Sequence, residues 1–504
     1  MTEGRDRYDL LVVGGGINGT GIARDAAGRG LRTLLCEQHD LGAHTSSAST
    51  KLIHGGLRYL EFYDFGLVRK SLREREIVLA SAPHIAWPLR FVLPHDRHLR
   101  PAWMIRAGLF LYDHLATRRR LPGSEGLDLR THPAGRALEA RYRRGFAYSD
   151  CWVDDARLVV LTAMDARERG AVVLPRTRCS RLERGREDWT ATLEREGMPA
   201  AQVRARAVVN ATGPWVARFL DEATPVPAAR HPRMIRGSHV VVPRLYEHPY
   251  AYLFQGADGR VVFAIPYEQD YTLIGTTETD YAGDLATPAI AESEIDYLLA
   301  LANRYFARDL SRADVAWTFS GLRPLLADPS DRATSVTRDY VIDCDADGPP
   351  LLSVYGGKLT TYRKLAEDVV ERLAPTLGCA AGPWTAGTVL PGGDLPRGDF
   401  DAYVADLVAR RPALPAALLR RYARAYGTRT ATLLGRARTP ADLGPEVLPG
   451  LHEREIGYLR REEWAVTAED ILYRRSKLAL HVPPDGASRL ADWLVRHPAA
   501  ACAA

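Results

Sequence analysis

Asp9-Leu10-Leu11-Val12-Val13-Gly14-Gly15-Gly16-Ile17-Asn18-Gly19 is the stretch on which the fold turns. Leu10 to Val13 form an unbroken apolar run, the pattern of a strand buried on both faces. The glycines then open into a helix running to about Gly28, and Thr33 to Glu37 returns as a second strand. Gly14 permits a sharp turn, Gly16 lets backbone approach a pyrophosphate, and Gly19 lets the helix lie close to the strand. Gly15 and Asn18 complete the turn, whose N–H groups face an anion at the helix start. Glu37, 23 residues after Gly14, ends the second strand, where a carboxylate accepts hydrogen bonds from a ribose. Strand, helix, strand and terminal acid in one register predict a dinucleotide-binding βαβ unit.

Working outward, 504 residues allow two or three domains, and 46% hydrophobic with 26% charged residues is an ordinary globular composition. A net charge of +5 over this length excludes a general attraction for nucleic acid. Cys36, Cys151, Cys179, Cys344, Cys379 and Cys502 are widely spaced, which argues against a zinc site or a disulfide scaffold and for reduced thiols in cytosol. The opening MTEGRDRYDL is charged, and no apolar run reaches membrane-spanning length. No metal site is expected.

FAD and NAD share the opening fingerprint, so later segments choose between them. Ala207-Val208-Val209-Asn210-Ala211-Thr212-Gly213-Pro214-Trp215 is a strand breaking into a helix, an element that an NAD-dependent dehydrogenase does not need. Val354-Tyr355-Gly356-Gly357-Lys358-Leu359-Thr360-Thr361-Tyr362-Arg363 again passes from strand through glycines toward a helix. Backbone donors and Lys358 at that helix start could stabilise negative charge on a reduced isoalloxazine ring.

With Thr45-Ser46-Ser47-Ala48-Ser49-Thr50-Lys51 and Leu52-Ile53-His54-Gly55-Gly56-Leu57-Arg58-Tyr59-Leu60-Glu61, these segments make the chain resemble the aerobic, quinone-linked, FAD-dependent glycerol-3-phosphate dehydrogenases. The resemblance extends through Gly237-Ser238-His239, Ile274-Gly275-Thr276-Thr277, Ser320-Gly321-Leu322-Arg323-Pro324-Leu325, Thr337-Arg338-Asp339-Tyr340 and Glu463-Trp464-Ala465-Val466-Thr467-Ala468-Glu469-Asp470. It implies oxidation of sn-glycerol 3-phosphate to dihydroxyacetone phosphate by hydride transfer to FAD, with electrons passed to a membrane quinone. FAD contacts are then expected from Gly14, Gly15, Gly16, Asn18, Gly19, Glu37, Thr45, Ser46, Ser47, Ser49, Lys51, Gly55 and Gly56. Ala211, Thr212, Gly213, Gly356, Gly357, Lys358, Leu359 and Thr360 complete that set.

Substrate chemistry assigns further roles. A dianionic phosphate calls for arginine, whose planar fork holds two oxygens at once. Arg58, Arg323 and Arg338 sit in segments resembling the family's substrate site, with Arg323 and Lys358 also expected at the reacting centre. Tyr59, Thr276, Thr277 and Thr360 add neutral hydrogen bonds. His239 is the first choice as general base, because an imidazole titrates near working pH, and His54 is its rival.

The fold class expected is α/β: a discontinuous FAD-binding Rossmann-like domain, a β-rich substrate domain and a C-terminal helical domain. Residues 1–90, 145–225 and 335–380 are assigned to the first, 91–144 and 226–334 to the second, and 388–504 to the third. Val240–Val242, Tyr252–Phe254, Val261–Ile265 and Tyr271–Ile274 read as short antiparallel strands, the middle pair joined through Ala257-Asp258-Gly259. Arg90 to Arg120 holds seven arginines against Asp96 and Asp113 and contains an apolar helical pattern from Pro101 to Tyr112. That pattern suits either a helix packed on the core or an interfacial anchor for anionic lipid. The resemblance favours the anchor, and implies a cytoplasmic enzyme held peripherally on the inner face of the cell membrane, and a homodimer.

Overall fold

The computed structural model describes residues 7–96, 99–326 and 339–498. The opening unit is β1 (Arg7–Val13), α1 (Ile17–Gly28) and β2 (Thr33–Cys36). β1 lies between β2 and the strand Ala201–Asn210, parallel to both. Val172–Leu174 extends the sheet beyond β2, Leu351–Tyr355 extends it beyond Ala201–Asn210, and antiparallel Val341–Asp345 closes that edge. Leu10, Val12, Leu35, Val209 and Leu352 are completely buried, as expected where helices and loops cover both faces of a parallel sheet. α1 packs between the helices Asp155–Glu168 and Tyr362–Leu377. Asp154 begins the first of these by accepting the Arg157 N–H, a short polar side chain doing what an N-cap requires.

The second sheet has ten strands and is mostly antiparallel. Arg233–Pro243 runs through it, with Trp317–Leu325 on one side and Tyr271–Gly275 on the other. Val261–Tyr267 and Ala251–Gln255 continue it as a hairpin turned at Ala257–Gly259, where Gly259 has a positive φ of 77°. Helix Glu292–Tyr305 covers one face, setting Leu298, Ala302 and Tyr305 against Val240, Phe254 and Ile274.

Three strands in ranges assigned wholly or partly to the nucleotide domain pair in the second sheet. The strand Arg144–Val153, which from Gly145 onward falls in the range assigned from sequence to the nucleotide domain, pairs with Ala86–Pro94 and Glu125–Asp128 in the second sheet. Ala86–Pro94, whose first residues carry the same assignment, belongs there too, as does Leu52–Ile53. Every residue from Gly145 to Val153 is buried, so the strand lacks the alternating exposure of a half-buried antiparallel strand. Only the pairing partner distinguishes it from a parallel-sheet strand.

The helices Phe400–Arg410, Ala416–Tyr426, Glu453–Glu462 and Gly486–Arg496 enclose a separate core that includes Leu407, Leu414, Leu418, Leu419 and Tyr422. This unit is fastened to the nucleotide sheet by buried charge. Arg157 grips Glu463 with both terminal guanidinium nitrogens, and Asp40 accepts from Arg474 Nε at 2.7 Å and from Arg475 at 2.6 and 2.8 Å.

Candidate active site

The turn between β1 and α1 can be built only from small residues. Gly14 has φ +112°, and a Cβ there would lie 2.6 Å from the Ala211 carbonyl oxygen; one on Gly19 would lie 1.9 Å from the Gly14 oxygen. The first turn of α1 has no cap from its own N-cap glycine, and the Ser46 hydroxyl accepts the Ile17 N–H at 3.0 Å instead. Thr45 Oγ1 in turn donates to the Leu322 carbonyl at 2.8 Å, tying this loop to the second sheet. Asn18 donates from Nδ2 to Gly356 O at 3.2 Å, while its buried Oδ1 has no hydrogen-bond partner among the described residues. Gly357, at φ +97°, passes close enough that a Cβ would meet the Asn18 amide at 3.0 Å. Past the end of β2, Glu37 accepts the N–H groups of Gly15 at 2.6 Å and His39 at 2.7 Å, and burial pushes its carboxyl above the usual range.

A cavity of about 470 Å³ follows this line. It starts at Glu37, Gln38 and Thr177–Ser180, passes Gly14, Gly16 and Ala211–Trp215, and ends among His54, Tyr59, Thr276, Arg323 and Lys358. The elongated shape, the glycine turns and the acid at one end match a dinucleotide, and the partnerless Asn18 oxygen supplies a polar atom facing it.

At the far end Arg323 projects from Trp317–Leu325. Its Nη2 donates to Thr276 Oγ1 at 3.3 Å, its Nη1 lies 3.5 Å from the Glu278 carboxylate, and burial lowers its proton affinity. Gly237 makes the space, since a Cβ there would lie 2.8 Å from both Arg323 Nη2 and Thr276 Oγ1. Lys358 Nζ stands 3.9 Å from the centroid of the Tyr59 ring, a cation–π contact. Thr360 Oγ1 accepts the His54 N–H at 3.3 Å.

The structure gathers most of the expected residues around this cavity: Gly14, Gly16, Asn18, Glu37, Thr45, Ser46, Ser49, Tyr59, Ala211, Thr212, Gly213, Thr276, Arg323 and Gly356 to Thr360 line it. Others stand behind the lining. Lys51 is buried in an ion pair with Asp155 at 2.7 Å, which also holds Ser49. Thr277 donates to Glu294 at 2.6 Å, and Ser47 donates to the His44 carbonyl at 3.2 Å. Gly55 donates to the Tyr112 hydroxyl at 2.8 Å. Gly15, Gly19, Gly56 and Arg58 are also outside the lining, and Arg338 lies outside the described residues. His239 is buried one layer back, with Nε2 2.9 Å from Thr50 Oγ1, while His54 is in the wall itself. Burial first, then the charges of Arg323 and Lys51, hold the His239 imidazole well below its ordinary pKa.

Sequence reasoning assigned no role to Gly237, Thr50, Glu278, Phe263 or Asp155. Gly237 and Thr50 sit inside recognised segments, but what they touch is contributed from 39 to 189 residues away. Asp155 carries no motif at all.

A parallel sheet with a glycine-turn helix start, and a cavity running from a strand-end acid to two cations beside a second sheet, define a dinucleotide-dependent oxidoreductase. The chain belongs to the FAD-dependent oxidoreductase family, whose model matches residues 9–363, and its cofactor is FAD. Residues 384–494 match the C-terminal domain of alpha-glycerophosphate oxidase. Glycerol-3-phosphate dehydrogenase of Pseudomonas aeruginosa is 54% identical over 97% of this chain and 96% of that protein. Aerobic glycerol-3-phosphate dehydrogenase of Escherichia coli is 50% identical over 97% of each. D-erythritol 1-phosphate dehydrogenase of Brucella abortus is 47% identical, over 96% of this chain and 97% of that protein. Among solved structures, glycerol-3-phosphate dehydrogenase of Bacillus halodurans complexed with FAD superposes with a TM-score of 0.77 at 28% identity, covering 98% of this chain and 91% of that one.

Proposed function

We propose that this protein oxidises sn-glycerol 3-phosphate to dihydroxyacetone phosphate and delivers the electrons to a membrane quinone. The observation that carries the reading is Arg323: a half-buried guanidinium in the wall of the FAD cavity, with its fork held by Thr276 and Glu278. An arginine so placed recognises a phosphate through charge-assisted, paired hydrogen bonds. The full-length likeness to two enzymes named for this substrate supports the same assignment.

FAD, when bound, supplies the ring that accepts a hydride. The protein's part is to orient the substrate and take the hydroxyl proton. Arg323 anchors the phosphate, assisted by Arg58 and Arg338 as the resemblance implies, and Thr276 and Tyr59 direct oxygens at the cavity end. Lys358, with Thr360 beside it, places positive charge where electron density accumulates. His239, neutral in the resting protein, is in the protonation state that a base requires. A substrate phosphate on Arg323 offsets one of the charges that depress it.

The helix Ala102–His114 supports a membrane acceptor. Leu109 and Tyr112 pack inward, whereas Trp103 is 70% and Phe110 58% exposed, with Tyr63 at 79% on a neighbouring turn. Arg100, Arg106 and Arg118–Arg120 lie in or next to this helix in the chain, a composition suited to anionic headgroups. No helix among the described residues is long and apolar enough to cross a membrane.

The test is anaerobic reduction of the purified holoenzyme by glycerol 3-phosphate and, separately, by D-erythritol 1-phosphate. Rapid bleaching by the first with slow bleaching by the second supports the reading; the reverse preference overturns the substrate. Reoxidation by a short-chain quinone, compared with peroxide yield in air, separates a dehydrogenase from an oxidase. Flotation with anionic vesicles that W103S/F110S abolishes supports the membrane face.

A further inference from the structure

His239 poses a geometric problem for the reading above, because its ring does not reach the cavity. The imidazole lies flat against Phe319, with centroids 4.7 Å apart and planes 12° from parallel. Its Cδ2 edge is pressed on the Gly275 backbone so closely that a Cβ there would sit 2.1 Å away. Nδ1 is buried with no hydrogen-bond partner among the described residues. A ring held in this way cannot swing toward a substrate without displacing Phe319 or the strand beside it. One polar outlet is seen: Nε2, 2.9 Å from Thr50 Oγ1. Thr50 lines the cavity, between the loop carrying Ser46 and the segment carrying His54.

We infer that the Thr50 hydroxyl relays the proton between the substrate and His239, and that His239 acts through it without touching the substrate. This rests on the proposed alcohol oxidation. As the hydride leaves the substrate carbon with its electron pair for the flavin, the substrate O–H bond breaks and the carbonyl forms. The released proton bonds to Thr50 Oγ while the proton already on Oγ moves to Nε2. Two O–H bonds break, one O–H and one N–H bond form, and the imidazole gains the positive charge that the substrate loses as a proton. The relay requires the neutral tautomer with hydrogen on Nδ1, in which Thr50 donates and Nε2 accepts. A threonine suits this task because its hydroxyl donates and accepts at once, and its branched carbon limits the rotamers available.

The test compares T50V, T50S and H239N with the wild-type holoenzyme in anaerobic stopped-flow reduction by glycerol 3-phosphate. Valine matches threonine in shape and lacks the hydroxyl; serine restores it. The relay predicts that T50V and H239N each slow flavin reduction by about 100-fold, the scale of lost general base catalysis, with T50S within about tenfold of wild type. FAD content and KM stay near wild type in T50V. In mixed H2O and D2O the wild-type rate bows downward with deuterium fraction, as two moving protons require, and this curvature disappears in T50V. A merely structural threonine would not produce that pattern. Wild-type rates in T50V with slow H239N overturn the relay and leave His239 as a base acting by another route. Wild-type rates in both variants overturn the role of His239 and the relay together. If neither polyol phosphate reduces the wild-type flavin, the substrate reading fails and the relay falls with it.

Discussion

Asp40 is a single carboxylate that holds two domains together, and D40N tests what that junction does for the cofactor. Asp40 is 2% exposed and accepts three hydrogen bonds, one from Arg474 and two from Arg475. Arg474 keeps Glu469 and Asp470 after the substitution, but among the described residues the other hydrogen-bond acceptor of Arg475 is the neutral Glu463 carbonyl. Asparagine would present its NH2 to a guanidinium and leave that buried charge without a hydrogen-bonded anion. Removing one partner of a buried pair costs about 3–5 kcal/mol. For a domain of ordinary size that corresponds to a Tm lower by roughly 10 °C. The loop just beyond Asp40 supplies Gly42 to Ser46 of the FAD cavity wall, so loosening it falls on the cofactor as well. If half of the penalty appears there, FAD binds at least about tenfold more weakly, each factor of ten being about 1.4 kcal/mol. The assays are thermal unfolding followed by circular dichroism and FAD titration of the apoprotein by flavin fluorescence. A D40N protein with Tm within about 2 °C of wild type and unaltered FAD affinity would refute the reasoning, since a penalty of this size moves both.

Three further outcomes are expected. G19A forces a methyl carbon against the Gly14 carbonyl, and the purified protein should carry little flavin although its C-terminal domain still folds, as flavin absorbance and limited proteolysis would show. R323A removes two charge-assisted hydrogen bonds, so KM for the phosphorylated substrate should rise by about two orders of magnitude, with FAD content unchanged. His84 is buried beside Arg157 and Arg424 with neither ring nitrogen hydrogen-bonded among the described residues, and burial lowers its pKa to about 3. The unfolded chain binds this proton near pH 6.5, so the contribution is present above that pH and lost as pH falls toward 3. The loss approaches about 1.4 kcal/mol per pH unit. H84L should therefore show a flatter Tm between pH 6.5 and 4 than wild type; equal slopes would remove His84 from the acid sensitivity.

What could be read without coordinates was local. The β1–α1–β2 unit, the hairpin at Ala257–Gly259 and the apolar positions of the C-terminal helices all follow from side-chain periods and turn chemistry within a short window. Leu10 to Val13 had to be interior, and Gly14 and Gly19 had to be glycine, whatever the remainder of the chain did. Tertiary structure decided matters that depend on distant partners. Arg144–Val153 has the continuous burial typical of a parallel sheet and the hydrogen bonds of the antiparallel one. Gly237 is informative only because Arg323 arrives over it, and Asp40 only because Arg475 comes back from 435 residues away. His239 could be singled out as an imidazole, yet its place behind Thr50 follows from how strand Arg233–Pro243 registers against Trp317–Leu325 and Tyr271–Gly275. Backbone conformation is governed by neighbours in the chain, whereas burial, pairing and proton affinity are governed by neighbours in space.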